Sequence, residues 1–349
     1  MKQITILLII SWSISQHLQA GAEEEWAYII SLDAGPTKKP TTRDEAALVA
    51  HNHLLFQRKA VEQFLQRYPS DSRAFEAKLR RARILAADGK LANNQSEIDN
   101  ALRLLAELEN SPGVPREKLA DAGFARASLS MQNQSDNADR TRESIIWSAR
   151  NFAAKYPGDR RGPRLLVEAA TVCDEVPNQK RDLLEEALRA TQEEPLKHRI
   201  ADDLRRLDLL GKPLELKITR LAGGEIDLSK LRGNVVVLIF WSSDSPHSLL
   251  WLRDFRSSWE AFSKEQLRVV TVSLDENRRD LEARLRELRA DWPTHFDGLG
   301  WRSPIARSLG INALPAVWIL DKRGVLRSIN ARSTYERWIN QLLREHEGP

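Results

Sequence analysis

The sequence predicts an all-helical N-terminal part followed by a C-terminal α/β domain, and two observations support this prediction. From about residue 43 to 210 the apolar residues recur at helical spacing, with interruptions marked by Pro, Gly and Asn. Further on, two short apolar runs, Val235–Phe240 and Val269–Leu274, flank an amphipathic stretch, which is typical of two buried strands joined by a helix. At 349 residues the chain has room for two domains.

The first 22 residues have the features of a secretory signal. Lys2 precedes a short apolar run at 4–14, and Ala20-Gly21-Ala22 has the small residues of a cleavage site. We therefore predict a signal peptide at 1–22 that is removed, leaving a protein exported to the periplasm or outside the cell. An uncleaved signal anchor is the alternative, although the apolar run is short for a membrane span. Residues 23–42 are predicted to be a partly ordered extension.

Residues 43–210 are predicted to form a helical domain. The predicted helices cover 43–67, 72–87, 94–109, 116–130, 140–155, 163–174, 178–191 and 195–209. The motif Phe-x-x-x-Tyr-Pro-x-Asp-x-Arg occurs at Phe64–Arg73 and again, 88 residues later, at Phe152–Arg161. Proline would end one helix and aspartate would begin the next. The motif resembles the turn of tetratricopeptide-like hairpins, which implies a TPR-like or α-solenoid stack with a face for partners. A helical spacer without a partner is the alternative.

Gly211-Lys212-Pro213 is the predicted boundary to the second domain, 214–349. Within that domain the most informative stretch runs from Phe240 to Ser248, between the first apolar run and the amphipathic segment. Ser245-Pro246 is a common helix opening, with serine at the N-cap and proline at the first helical position. A helix start also favours negative charge, so an anion-binding role, with Asp244 and His247 alongside, is the alternative to capping.

From Pro213 onward the chain resembles the exported, TlpA-like branch of the thioredoxin-like (redoxin) superfamily. The segments that carry the resemblance stand in the family's order: Leu228–Asn234, Val235–Trp241, Val269–Leu274, Trp301–Leu309, Gly310–Asp321 and the turn Lys322-Arg323-Gly324. It implies a thioredoxin-like α/β fold with a cis peptide at Leu314-Pro315. It also implies that this cis-proline loop lies beside the turn after Trp241, where its backbone could pair with an extended segment of a partner.

The resemblance places Ser245 and Ser248 where the family has the two cysteines of its Cys-x-x-Cys motif. Ser245-Pro246-His247-Ser248 differs by these two changes from the Cys-Pro-His-Cys of DsbA-type oxidases. Disulfide exchange needs an attacking thiolate and a resolving thiol, and serine supplies neither. The single cysteine, Cys173, lies in the helical part and is predicted to be a buried small hydrophobe, with a lone reactive thiol as the alternative. No intramolecular disulfide can form, and we expect no catalytic residues.

Other chemistries find little support in the sequence. Asp244, Ser245 and His247 are neighbours in one turn, where a nucleophile, its base and an orienting group rarely meet, and no Gly-x-Ser-x-Gly elbow occurs. The net charge is +4, with basic and acidic residues alternating along the helices, which is unlike a nucleic-acid surface. The sequence shows no phosphate loop, zinc pattern or calcium loop, so we expect no metal and no cofactor.

Together these patterns predict an exported, redox-inactive thioredoxin-fold protein that serves as a protein- or peptide-binding scaffold. The predicted partner is another envelope or secreted protein or peptide, with no nucleic acid and no membrane insertion after signal cleavage. The predicted binding groove comprises Trp241, Asp244, Ser245, Pro246, His247, Ser248, Leu314 and Pro315. One alternative is a thiol-disulfide oxidoreductase, a cell-envelope redoxin, that uses a partner's cysteines. Another is an assembly role for the helical part, with the redoxin part as a rigid cap.

Overall fold

A computed structural model describes residues 21–132, 138–262 and 265–345 of the chain. The chain divides into two compact units, residues 1–169 and 170–349. The predicted fold class is confirmed, because helices extend to residue 209 and a mixed α/β domain with a thioredoxin-like arrangement follows. The predicted signal peptide at 1–22 lies outside the described residues except for Gly21 and Ala22. Among the described residues, no helix is both long and apolar enough to cross a membrane.

The first unit is a series of helices, most of which pack against the next one along the chain. Its helices are α1 (21–31), α2 (Arg43–Arg67), α3 (Ala74–Leu91), α4 (Gln95–Glu109), α5 (Arg116–Gln132), α6 (Ala138–Lys155) and α7 (Arg161–Ala170). These bounds agree with the predicted helices to within a few residues. Whether the stack is a TPR-like solenoid stays a prediction.

Helix α1 falls in the segment that the sequence predicted to be a partly ordered extension. Ala22 and Ile29 of this helix are buried, and the Trp26 ring lies 5.2 Å from the Phe64 ring, between centroids. The helix is therefore part of the core of the first unit. The residues that make these contacts, Ala22, Trp26 and Ile29, span only about two helical turns. An apolar pattern this short does not predict a helix from the sequence.

The two copies of the repeated motif fold into the same turn. In each copy the aspartate accepts a hydrogen bond from the backbone N–H of the arginine two residues later, at 2.8 Å for Asp71 and 2.9 Å for Asp159. The guanidinium of that arginine, Arg73 or Arg161, also donates to the aspartate. These hydrogen bonds from the guanidinium lower the pKa of both Asp71 and Asp159. Each turn is thus fixed by residues of its own motif.

The second unit starts with two helices that precede the α/β domain. They are α8 (Pro177–Ala190) and α9 (Glu194–Leu209), and the predicted boundary at 211–213 lies after them, inside the unit. Helix α9 approaches Gly310 closely, since a Cβ atom there would stand 2.7 Å from the Asp202 carbonyl oxygen. Gly310 also has a φ of 69°, which favours glycine. The domain bounds drawn from the sequence stay predictions.

The rest of the second unit is a five-stranded mixed sheet with helices on both faces and a small hairpin beside it. The strands are β1 (Lys217–Thr219), β2 (Glu225–Asp227), β3 (Val235–Trp241), β4 (Leu267–Ser273), β5 (Thr294–Phe296), β6 (Ala316–Leu320) and β7 (Leu326–Ser328), and the helices are α10 (Pro246–Trp259), α11 (Arg278–Glu287), α12 (Pro304–Ser308) and α13 (Tyr335–Arg344). Strands β1 and β2 form the hairpin. The order in the sheet is β5-β4-β3-β6-β7, with β3, β4 and β5 parallel and β6 and β7 antiparallel to their neighbours.

Strand β3 is the centre of this sheet, and all seven of its residues are buried. Its alternate side chains enter two different cores, as strand geometry requires. Val235, Val237, Ile239 and Trp241 pack with α10, α11 and α13, whereas Val236, Leu238 and Phe240 pack with the β1–β2 hairpin and α12. A strand buried on both faces holds the start of the following turn, at Ser242, in a fixed position.

Candidate functional site

The pairing of β3 with β6 brings the two predicted halves of the site together. Phe240 of β3 lies opposite Ala316 of β6 in an antiparallel pair. The next residue of β3, Trp241, therefore adjoins Pro315, the residue before Ala316. The Leu314–Pro315 peptide is cis, as the family resemblance implies.

Ser245 begins helix α10 in the way that the sequence predicts for a capping serine. Its backbone is extended, with φ −89° and ψ 107°, and its Oγ accepts the backbone N–H of Ser248 at 3.2 Å. Pro246 occupies the first helical position. The Ser248 side chain is fully buried, and its hydroxyl has no hydrogen-bond partner among the described residues.

The predicted groove residues share one region, but only some of them reach the surface. Trp241 and Ser248 are 0% exposed and Pro315 is buried. Ser245 and Leu314 are half-buried, while Asp244, Pro246 and His247 are exposed. A partner could therefore touch the start of α10 directly, whereas Trp241 and Ser248 could influence it only by supporting that surface.

A buried carboxylate that the sequence analysis missed holds this turn in place. Asp275, directly after Leu274 at the end of β4, is 5% exposed. Its Oδ1 accepts the backbone N–H of Ser243 at 2.8 Å and the Ser243 hydroxyl at 2.5 Å, and it lies 3.1 Å from the Ser242 Oγ, whose single proton it shares with the Asp244 carboxylate. Its Oδ2 accepts the Ser273 hydroxyl at 2.6 Å. Among the described residues the carboxylate has only hydroxyl and N–H donors, and through them it ties the carboxyl ends of β3 and β4 together.

The signal that could have revealed Asp275 is its position. The ends of adjacent parallel strands share one edge of a sheet, and polar residues that follow them converge there. Ser242-Ser243 after β3 and Asp275 after β4 fit this rule.

The same sheet edge exposes apolar side chains from the loop after β5. Trp301 is 51% exposed and Leu299 is 40% exposed. The loop approaches Glu276, the residue after Asp275: a Cβ atom on Gly300 would stand 2.9 Å from the Glu276 side chain, and Arg302 lies 3.5 Å from its carboxylate. Two exposed apolar side chains thus lie in a loop that contacts the residue after Asp275.

The geometry does not assemble a hydrolytic triad. The Asp244 carboxylate accepts the hydroxyl of Ser242, and Ser245 Oγ serves as the helix cap. Among the described residues, His247 makes no hydrogen bond to either of them, so nothing positions it as a base for Ser245. Cys173 is 0% exposed, in agreement with the prediction of a buried side chain. The described residues contain no cluster of three or more His, Cys, Asp or Glu side chains that could hold a metal ion.

A family model and the fold agree on the C-terminal part of the chain. Residues 211–329 match the AhpC/TSA family. This redoxin domain covers β1 to β7 and includes both serine positions and the cis-proline loop. The predicted resemblance to thioredoxin-like redoxins is thereby confirmed for this part of the chain.

Several solved structures are similar to the AhpC/TSA domain. The C-terminal domain of a candidate thiol-disulfide oxidoreductase from Bacteroides thetaiotaomicron is 21% identical, with a TM-score of 0.37, over 39% of this chain and 97% of that one. The thioredoxin domain of a thiol-disulfide oxidoreductase from Bacteroides vulgatus is 18% identical, with a TM-score of 0.34, over 38% and 98%. A thiol-disulfide oxidoreductase from Bacteroides fragilis is 20% identical, with a TM-score of 0.32, over 36% and 96%. A search of curated proteins found no match.

Proposed function

We propose that this protein is an exported, redox-inactive thioredoxin-fold protein that binds a polypeptide segment of another exported protein. The observation that carries the proposal is the pair of serines, Ser245 and Ser248, at the start of α10 in a redoxin domain. The proposed export follows from the sequence of residues 1–22, which has the composition of a secretory signal.

The environment of the two serines supports a structural role for them. The Ser245 hydroxyl oxygen accepts a backbone N–H and so takes the part of a helix cap, while Ser248 is fully buried. Neither hydroxyl can attack a disulfide and form a stable covalent bond to sulfur. The only thiol, on Cys173, is buried, which keeps it away from a protein disulfide.

The accessible residues around the serine turn suit a polypeptide ligand. Asp244, Pro246 and His247 present polar and small apolar groups at the start of α10. Trp301 and Leu299 add a large apolar area near the same sheet edge. An exposed tryptophan beside polar groups is the composition of protein-binding hot spots.

Insulin reduction in the presence of dithiothreitol tests the proposed loss of redox activity. We expect the wild-type protein to be inactive and the Ser245→Cys/Ser248→Cys variant to be active, because the helix start would lower the pKa of a thiol at position 245. Cys173→Ala is the control and should behave as the wild type. Wild-type activity that disappears in Cys173→Ala would contradict the proposal.

A peptide array probed with the mature protein tests the proposed binding surface. We expect Trp301→Ala to reduce binding by about 10-fold or more, as for a hot-spot aromatic. Trp147→Ala is the matched control, because Trp147 is 60% exposed and lies in the first unit. Equal losses for the two variants, or the absence of any bound peptide, would overturn this part of the proposal.

A further inference from the structure

A cavity of about 490 Å³ has Pro315 in its lining. Its walls include Asp203 and Arg206 of α9 and Asn312, Pro315 and Trp318 of the redoxin domain. None of the residues 242–248 lines it. Because α8 and α9 precede the AhpC/TSA match at 211–329, this cavity is formed partly by residues outside the family domain.

The cavity carries an excess of positive charge. Its ionisable lining consists of four cationic side chains and two carboxylates: Lys180, Arg199, Arg206, Arg332, Asp174 and Asp203. Each carboxylate already has a cation, since Lys180 pairs with Asp174 and Arg206 pairs with Asp203. Among the described residues, Arg199 and Arg332 form no ion pair, and both are exposed. Arg332 Nε donates to the Asn330 amide oxygen at 3.2 Å, so the Arg199 guanidinium and the terminal N–H groups of Arg332 are available at this cavity.

The paired charges form the fixed part of the cavity wall. Asn312 donates to Asp203 at 3.0 Å, and Asn330 donates to Asp174. Burial lowers the pKa of Arg206, and the nearby charge of Arg199 acts in the same direction, while Asp203 opposes both. An added negative charge in the cavity would relieve the repulsion between Arg199 and Arg206.

The remaining wall offers an apolar surface, with a buried tryptophan behind it. Pro315 and Ile329 supply apolar contact. Trp318 is 0% exposed, lines the cavity, and has an indole N–H without a hydrogen-bond partner among the described residues. Its full burial makes Trp318 a support behind the wall rather than a group that a ligand touches.

We propose that this cavity binds a small organic anion, whose carboxylate or phosphate group contacts Arg199 and Arg332 and whose apolar part lies against Pro315 and Ile329. Guanidinium groups bind both kinds of oxyanion through paired hydrogen bonds. The cavity volume is within the usual range for small-molecule sites. The anion site is separate from the polypeptide surface proposed above.

Isothermal titration of the full mature chain at constant ionic strength tests this site. The probes are benzoate and phenyl phosphate, which share a ring and differ in the oxyanion, together with uncharged benzamide and inorganic phosphate. We expect saturable binding of at least one of the two aromatic anions. We expect it to be about 10-fold or more tighter than the binding of benzamide, because a charge-assisted contact is lost, and tighter than the binding of inorganic phosphate, which has no apolar part.

Variants locate the binding and separate it from the proposed function. Arg199→Ala/Arg332→Ala should weaken anion binding by about 10-fold or more. Arg279→Ala is the matched control, because Arg279 is an exposed arginine on α11. This variant should change the affinity for the anion by less than twofold. Trp301→Ala should leave anion binding unchanged. The proposal is wrong if neither aromatic anion saturates the protein, if the double variant binds as the wild type does, or if benzamide binds as tightly as the anions.

Discussion

The duplicated turn of the first unit, at Tyr68–Arg73 and Tyr156–Arg161, and the serine turn of the second unit, at Ser242–Ser248, both connect two elements with the help of a carboxylate. In the duplicated turn the carboxylate belongs to the turn itself and pairs with an arginine two residues away. In the serine turn the carboxylate is Asp275, which lies 32 positions from Ser243 and forms no ion pair within the part of the chain that the structure describes.

The difference lies in how each carboxylate is stabilised. Asp71 and Asp159 have cationic partners and lie near the surface. Screening by solvent and salt therefore limits what each ion pair contributes to the free energy of unfolding. Asp275 is 5% exposed and depends on hydroxyl and N–H donors that only the folded strands bring together. Removing it would leave those buried donors without a partner. The second arrangement should therefore be the more sensitive to substitution.

The largest predicted effect is that of Asp275→Ala. We expect the free energy of unfolding of the second unit to fall by about 2–4 kcal/mol, because several buried donors lose their acceptor. Asp254→Ala, at an exposed position on α10, is the control and should change the free energy by less than about 0.5 kcal/mol. Urea unfolding, with hydrogen exchange of the 242–248 amides to locate the change, measures both. Equal effects for the two variants would contradict a supporting role for Asp275.

A smaller effect is predicted for the aspartates of the duplicated turn. Their pKa is lowered in the folded chain, so their stabilising contribution is present above about pH 4 and is lost as the pH falls through the folded pKa. Asp71→Asn/Asp159→Asn should lower the free energy of unfolding of the first unit at pH 7 by about 1 kcal/mol per site. The double variant should also lose less stability than the wild type between pH 7 and pH 3. Urea unfolding at the two pH values checks this. If the wild type and the double variant lost the same free energy of unfolding between pH 7 and pH 3, the two ion pairs would not account for the acid sensitivity of the first unit.

The smallest predicted effect is that of the cap. Ser245→Ala should destabilise the second unit by about 1 kcal/mol, and Ser245→Gly by only a few tenths, as is usual for N-cap positions. Thr42→Ala is the matched control, because Thr42 caps α2 by accepting the Glu45 backbone N–H at 3.1 Å. Thermal unfolding of the variants gives the comparison. If Ser245→Ala had no effect while Thr42→Ala did, the Ser245 hydroxyl would be free to serve a ligand.

Features fixed by neighbours in the chain were predictable from the sequence. The helices of residues 43–209, the cap at Ser245 and the duplicated turn each depend on residues within a few positions of one another. The cis bond at Pro315 was predicted from the family resemblance rather than from the residues themselves.

Features that depend on distant residues were not predictable. Helix α1 gains its place in the core from Phe64 on another helix, and Asp275 reaches Ser243 across two strands. The cavity beside Pro315 requires α9 to lie next to the loop that contains Gly310 and Asn312. Periodicity and spacing describe single elements, so such pairings between elements leave no local signal.

The close approach of α9 to Gly310 has a consequence for anyone who divides this chain. A fragment that starts at residue 211 would contain the whole family match, yet it would leave Asn312 and Asn330 without the aspartates that accept their amide hydrogens. It would also expose the apolar residues of the redoxin domain that pack against Leu209 and Leu210. The compact unit starts at residue 170, so the family match and the compact unit that contains it have different lengths.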